Sequence, residues 1–265
     1  MNSQSAAVTE FSIRLRFHEA LAFFLRDKSN HLVSKILREK TAVKDVIESC
    51  GVPHPEVDLI LVDASPVDFT FPLRSECDVE VFGLAESPGS FPKFRLQARR
   101  ATRFVADGHL GKLARYLRLL GIDVVYDGRV DDSDLLEIMR RDERALLTRD
   151  RCLLMHAVVQ HGYYPRSQFA EEQTREVIRR FELAQNLAPL SRCLHCNALL
   201  AHVAKTEIDA QLEPLTRLYY EAFRQCAGCG RIYWRGSHFQ KLEARATRLM
   251  DDLEVTDPRV VPSLK

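Results

Sequence analysis

Two pairs of cysteines, Cys193-Leu-His-Cys196 and Cys226-Ala-Gly-Cys229, are the residues of this chain most plainly equipped for chemistry. Each pair has the C-x-x-C spacing of a metal hook, and together they offer the four thiolates of a tetrahedral zinc site. A site with four protein ligands is closed, so its metal holds the fold and leaves reaction chemistry to other residues. The stretch from Asn197 to Gln225 exceeds the usual inter-hook spacing of about 15–20 residues, which predicts a longer β-excursion between the hooks. Gly230 follows the second hook and lets the turn wrap tightly enough for backbone N–H groups to approach sulfur. His195 sits inside the first hook, but four cysteines already complete the site, so it is expected outside the ligand set. The remaining cysteines, Cys50, Cys77 and Cys152, are scattered, and the total of seven is odd. The first ten residues are polar, with no secretory apolar run. Reduced thiols in a cytoplasmic protein fit this pattern.

The second chemical signal is a set of aspartates that follow short apolar runs. Asp107 follows Phe104-Val105-Ala106, and Asp150 follows Leu146-Leu147-Thr148-Arg149. Both stand where a buried strand should emerge, and in open parallel sheets the ligand crevice lies outside the carboxyl ends of the strands. If the two strands are neighbours, both carboxylates enter one cleft. Converging carboxylates repel unless they share a cation, and Mg²⁺ or Mn²⁺ prefers such oxygen ligands. The plainer alternative is that these aspartates start turns or cap helices. Asp131, Asp132 and Asp134 precede an apolar helical run. One should be its N-cap, and the helix dipole favours the others; the residues alone leave open which of them reaches a cleft.

A local cationic strip accompanies the aspartates. Arg95, Arg99, Arg100, Arg103, Lys112, Arg115 and Arg118 crowd one stretch with Asp107 the only acid among them. On a helix over 111–120, Leu113, Tyr116, Leu117 and Leu120 share one face, and Lys112, Arg115 and Arg118 group on the other. That basic face begins just after Asp107, so Lys112, Arg115, Arg118 and Arg149 are candidate phosphate contacts. The bland reading of the same residues is a solvated helix face.

The elements that must position these groups divide the chain. At 265 residues, 46% hydrophobic and 28% charged, with net charge +1, it has the balance of a globular protein of about two domains. No apolar run reaches the roughly 18 residues of a membrane span. FSIRLRF alternates as a half-buried strand, HEALAFFL reads as a short helix, and TAVKDVIESCGVP as a helix capped by Thr41. VDLILVD, PVDFTF and DVEVFG are three further strand-like runs. This describes a small β-grasp domain over residues 1–92, followed by a basic linker over 93–102. From 103 the rhythm becomes strand–helix alternation, which predicts a parallel sheet with right-handed crossovers over 103–190. A zinc ribbon over 191–240 follows, with Tyr219, Tyr220, Phe223, Tyr233 and Trp234 as its expected small core. A helix and tail close the chain over 241–265. The fold class is therefore mixed, α+β and α/β, and multidomain. No phosphate loop, nucleophile elbow or H-E-x-x-H motif is present.

The run FVADGHLGKLARYLRLLGIDV, then DDSDLLEIM, ALLTRD, the two hooks and YWRGSH, resembles the Mut-seven C-terminal RNase domain, a PIN-like nuclease domain with a terminal zinc ribbon. The resemblance covers about residues 103–240. Residues 11–82, with GVPHPEVDLILVD as the telling segment, are similar to the ubiquitin-like β-grasp domain related to sulfur carriers. The resemblance implies metal-dependent RNA cleavage by clustered acids: Asp107, Asp132 and Asp150 match the family positions, with Asp131 and Asp134 as competitors and Glu171 or Glu172 as a fourth acid. Sulfur carriers end in a free Gly-Gly, whereas VFGLAESPGSFP runs straight on, which favours a docking or substrate-presenting role for the front domain, with a protein as its candidate partner. Two readings follow. One is a Mg²⁺- or Mn²⁺-dependent endoribonuclease carrying one structural Zn²⁺. The other is a non-catalytic RNA-binding or adaptor protein.

Overall fold

The structure, a computed structural model, describes residues 10–84, 87–97 and 101–254. Arg99 and Arg100 of the cationic strip, and the expected tail from residue 255, lie outside the described residues. The chain forms two compact units: residues 1–98 with 148–164, and residues 99–147 with 165–265.

The first unit opens with β1 (Phe11–Phe17), whose alternation buries Ile13, Leu15 and Phe17. Helix α1 (Glu19–Ala22) is a single turn, and β2 (Leu32–Leu37) returns antiparallel to β1. Next come β3 (Thr41–Ala42), α2 (Val43–Ser49), β4 (Val57–Val62), β5 (Ser65–Val67), β6 (Pro72–Leu73) and β7 (Cys77–Gly83). The sheet order is β2-β1-β7-β4-β5, with β1 and β7 parallel at its centre. This is the β-grasp arrangement expected from the alternating runs. Thr41 does not cap α2. It lies in β3, and Ala42 occupies the cap position while the Thr41 hydroxyl donates to the Glu39 carbonyl.

Every residue of β4 is buried, including Asp58. The cause is a second apolar layer: Phe91 packs on Leu59, Leu61 and Phe82. Residues 93–97, expected as the start of a linker, instead return to β4. The Leu96 amide donates to the Asp58 carbonyl at 2.8 Å, and the Gln97 side-chain amide donates to the His54 and Val57 carbonyls, each at 3.1 Å. Arg95 forms an ion pair with the buried Asp58 carboxylate, which removes it from any solvent-facing strip.

In the second unit, β8 (Arg103–Ala106), α3 (Gly111–Leu119), β9 (Asp123–Val125), α4 (Asp132–Arg141) and β10 (Ala145–Leu147) alternate as the periodicity predicts. Strand β8 lies between β10 and β9 and is parallel to both. Helix α3 ends at the left-handed Gly121. The apolar face of α3 buries Leu113 and Leu117.

Residues 148–164 belong to the first unit, with α5 (Arg151–Leu154) and β11 (Gly162–Tyr163). They are fastened to the β-grasp elements by backbone contacts. The Arg151 guanidinium donates to the Phe24 carbonyl at 2.8 Å, His54 Nε2 meets the Val159 carbonyl at 2.5 Å, and the Glu56 carboxylate accepts the Tyr164 amide at 2.8 Å.

The second unit continues with α6 (Ala170–Arg180), then β12 (Leu200–Val203), α7 (Lys205–Ile208), α8 (Pro214–Tyr219), β13 (Phe223–Cys226), β14 (Ile232–Trp234) and α9 (Ser237–Glu254). The ribbon sheet is antiparallel in the order β12-β13-β14. The excursion between the hooks is thus a β-pair with helical turns inserted, and Ile208 at the end of α7 and Leu212 in the link to α8 pack onto Phe223 to build the ribbon core. Tyr220 and Trp234 pack against that core. Tyr219 does not; it is 71% exposed.

Candidate active site and metal centre

The four cysteines come together as the sequence requires. One sulfur each from Cys193, Cys196, Cys226 and Cys229 lies within 4.8 Å of the others. Cys193 and Cys229 Sγ are 3.7 Å apart, and Cys196 and Cys226 Sγ 3.2 Å; none is a disulfide. A tetrahedral ion with Zn–S bonds of about 2.3 Å separates its sulfurs by about 3.8 Å, so this cluster fits Zn²⁺. Its electrostatics point the same way. Burial opposes ionisation of Cys193, but the Tyr233 hydroxyl and the Cys196 and His195 amides outweigh it and lower the thiol to about 6. Burial and the neighbouring sulfurs push Cys196 up to about 12. The sulfurs cannot all be thiolates without a cation to relieve their repulsion.

The hooks are held by matching turns. Asn197 after the first hook and Gly230 after the second both adopt left-handed backbone. The amides that approach Cys226 Sγ are those of Gly228 and Cys229, each at 3.4 Å. Asn197 is nearly buried, accepts the Val124 amide at 3.1 Å and donates to Asp123 at 2.8 Å. Arg144 donates to the same Asp123 carboxylate at 2.6 Å, and Arg192 lies 3.6 Å from it. Burial acts to raise the Asp123 carboxyl, but Arg144, Asn197 and Arg192 prevail and hold it below its ordinary value. This network joins the ribbon to β9, and none of its members was singled out in the sequence. The legible signal was positional: Asn197 occupies the place after its hook that Gly230 occupies after the other.

The aspartates take distinct positions. Asp107 is half-buried at the end of β8. Its amide donates to the Leu147 carbonyl at 3.0 Å, and its carbonyl accepts the Leu110 amide at 2.8 Å. Asp131 is the N-cap of α4; its Oδ1 accepts the Asp134 amide at 2.9 Å and the Ser133 hydroxyl at 2.8 Å, and these bonds draw its carboxyl below the usual range. Asp132 and Asp134 are exposed in the first turn. Asp150 caps α5, its Oδ1 accepting the Cys152 amide at 2.7 Å and the Leu153 amide at 3.2 Å. Its own amide donates to the hydroxyl of the fully buried Thr148 at 2.9 Å. Glu171 and Glu172 are engaged in ion pairs, with Arg245 and Arg175 respectively.

Of the four candidate phosphate contacts, Lys112 and Arg115 are exposed on α3. Arg149 is half-buried with its guanidinium 5.9 Å from the Tyr164 ring centre. Arg118 does not share the exposed face. It is 4% exposed and donates to the Val124, Leu194 and His195 carbonyls at 3.0, 3.4 and 2.8 Å. One helical turn beyond Arg115, its side chain is drawn down to bind the first cysteine hook, a role that helical periodicity does not reveal.

Parallel strands flanked by helices, followed by a ribbon whose four cysteines could hold a metal, define a mixed α/β domain, preceded by a β-grasp module. Residues 102–246 match the Mut7-C RNAse domain, and residues 11–87 match the Mut7-C ubiquitin domain. The chain belongs to the Mut7-C RNase family. No curated protein is a significant match. Among the described residues no helix is long and apolar enough to cross a membrane.

Proposed function

We propose that this chain is a cytoplasmic, metal-dependent endoribonuclease of PIN-like type, with Asp107, Asp132 and Asp150 holding one or two Mg²⁺ or Mn²⁺ ions. One observation carries the reading. Strands β8 and β10 are parallel neighbours in register, Ala106 beside Leu147, so their carboxyl ends open on one edge. One strand runs directly into Asp107, and the other reaches Asp150 three residues later. Carboxylate oxygens suit hard divalent ions. Asp132 has no capping bond to make, because Asp131 caps α4. Asp150 caps through Oδ1, and its described bonds leave Oδ2 for an ion.

When bound, such an ion supplies an activated water and offsets charge on the phosphate under attack. The chain's own part is positional. The Asp107–Leu147 backbone bond fixes the first acid against the neighbouring strand, and Thr148 braces the turn that presents Asp150. Lys112 and Arg115 stand exposed within the first turns of α3 to neutralise flanking phosphates. The cysteine cluster holds one structural Zn²⁺, and the ubiquitin-like domain docks a protein partner.

The test is cleavage of labelled single-stranded RNA by the zinc-loaded chain, with Mn²⁺ or Mg²⁺ added or withheld. Cleavage only with the added ion supports the proposal, and equal cleavage without it refutes it. The capping bonds of Asp131 and Asp150 favour the second reading, a non-catalytic RNA-binding adaptor. That protein would bind RNA in a salt-dependent way and turn over none.

A further inference from the structure

Beside the cysteine cluster lies a cleft of about 650 Å³ that the zinc does not explain. Its walls come from the first hook, α8, β14 and the start of α9, with Arg115 entering from α3. Tyr219, Tyr220, Tyr233, Trp234 and Phe239 line it, together with the imidazoles of His195 and His238. Two guanidiniums, Arg115 and Arg231, complete the set, and no carboxylate belongs to the lining. Both arginines are exposed, and no carboxylate pairs with either among the described residues. At the rim Tyr219 and Leu215 are 71% and 69% exposed.

We infer that this cleft is a binding site for an unstacked base of single-stranded RNA, with the flanking phosphates on Arg115 and Arg231. This rests on the reading that RNA is the substrate and gives that substrate a second contact. The chemistry selects the occupant. Flat aromatic faces beside unpaired cations are what a single strand needs, since every base offers a stacking face and every link a phosphate. The volume lies within the range of small-molecule pockets, about 300–1,000 Å³. The rings are also held in advance. A methyl group at Gly236 would meet Trp234 Nε1 at 3.0 Å and Tyr220 Oη at 3.4 Å, so the glycine lets indole and phenol close over the backbone. The family motif Tyr233-Trp-Arg-Gly-Ser-His238 thus builds the cleft, although it supplies no cysteine. Continuity gives the track a direction. Arg115 stands about 6 Å along α3 from Gly111 at 1.5 Å per residue, and Gly111 follows Asp107 by four residues.

Trp234 is the only tryptophan in the chain, so its emission reports this cleft directly. The zinc-loaded full chain is titrated with octaadenylate RNA, without Mg²⁺ or Mn²⁺. A saturable change in Trp234 emission is expected. Tyr219→Ala should weaken binding about tenfold. The Arg115→Ala/Arg231→Ala pair should weaken it at least as much and lower the salt slope by about 1.4. All three side chains are exposed, so these variants keep the fold. Emission that responds as described, in a chain that cuts no RNA, supports the cleft and removes the nuclease reading. RNA cleavage by a chain whose emission ignores the oligonucleotide, or whose affinity ignores these substitutions, overturns the cleft and leaves the nuclease standing.

Discussion

The Asp107 amide donates to the Leu147 carbonyl at 3.0 Å, continuing the β8–β10 ladder one residue beyond the strands. That bond places the first acidic residue level with the end of the neighbouring strand. It also means that Asp107 inherits the rigidity of the sheet rather than the mobility of a loop. Among the described residues the four cysteines are the group of three or more side chains placed to hold a metal, and the aspartates are not among them.

The two exposed cations of α3 and its buried arginine should separate cleanly. Arg118→Ala strips donors from the Val124, Leu194 and His195 carbonyls. It should cost about 2–4 kcal/mol in urea unfolding. Lys112→Ala and Arg115→Ala should change stability by under about 0.5 kcal/mol and instead weaken RNA binding in filter or anisotropy assays. Equal stability losses at all three positions would contradict the division.

Asn197 carries both a left-handed backbone, φ 73°, and two side-chain hydrogen bonds. Asn197→Ala loses the bonds and keeps the strain, and should destabilise by about 2–4 kcal/mol. Asn197→Gly relieves the strain and should fall between alanine and parent. Denaturant midpoints in the reverse order would show that the bonds to β9 are dispensable.

Asp123 has a folded-state pKa below its unfolded value of about 3.9. Its contribution is therefore present above the unfolded pKa and is lost as pH falls through the folded one. Asp123→Asn should lower stability at pH 7 by about 2–3 kcal/mol, reduced from the fully buried range by partial exposure. It should also flatten the acid limb of the stability profile below the unfolded carboxyl value. Parent-like stability at pH 7 would rule out this role.

Loss of the metal should melt the ribbon first. Elemental analysis should find about one zinc per chain, and Cys226→Ser should lose it. Chelation should expose residues 191–236 to protease, and acid should release the ion because the ligands must be thiolates. A metal-free chain with an intact ribbon would contradict a structural role.

Much of this arrangement was legible in the residues. Alternation in FSIRLRF and the strand–helix rhythm after residue 103 report which face is buried, and burial is what periodicity encodes. The hooks were legible because thiolate spacing is a covalent constraint. Arg118 was not, because its partners are carbonyls far along the chain, and helical spacing cannot distinguish a solvated arginine from one drawn inward. Arg95 was misread for the same reason; its partner Asp58 sits in a strand whose apolar neighbours conceal it. The helical insertion between the hooks was also hidden, since α7 and α8 are too short for a periodic signal.

The claim that aspartates at the β8–β10 edge perform the chemistry is tested most directly by paired substitutions at Asp150, alone and with Asp107→Asn. Asparagine caps helices about as well as aspartate, so Asp150→Asn should keep α5 and the fold. Asp150→Ala loses the cap and should cost about 1 kcal/mol. The measurement is the Mn²⁺-dependent cleavage rate of single-stranded RNA by folded Asp107→Asn/Asp150→Asn. A fall of at least about 100-fold with an unchanged circular dichroism spectrum is the expected result. Cleavage by the double variant at the parent rate would contradict the assignment.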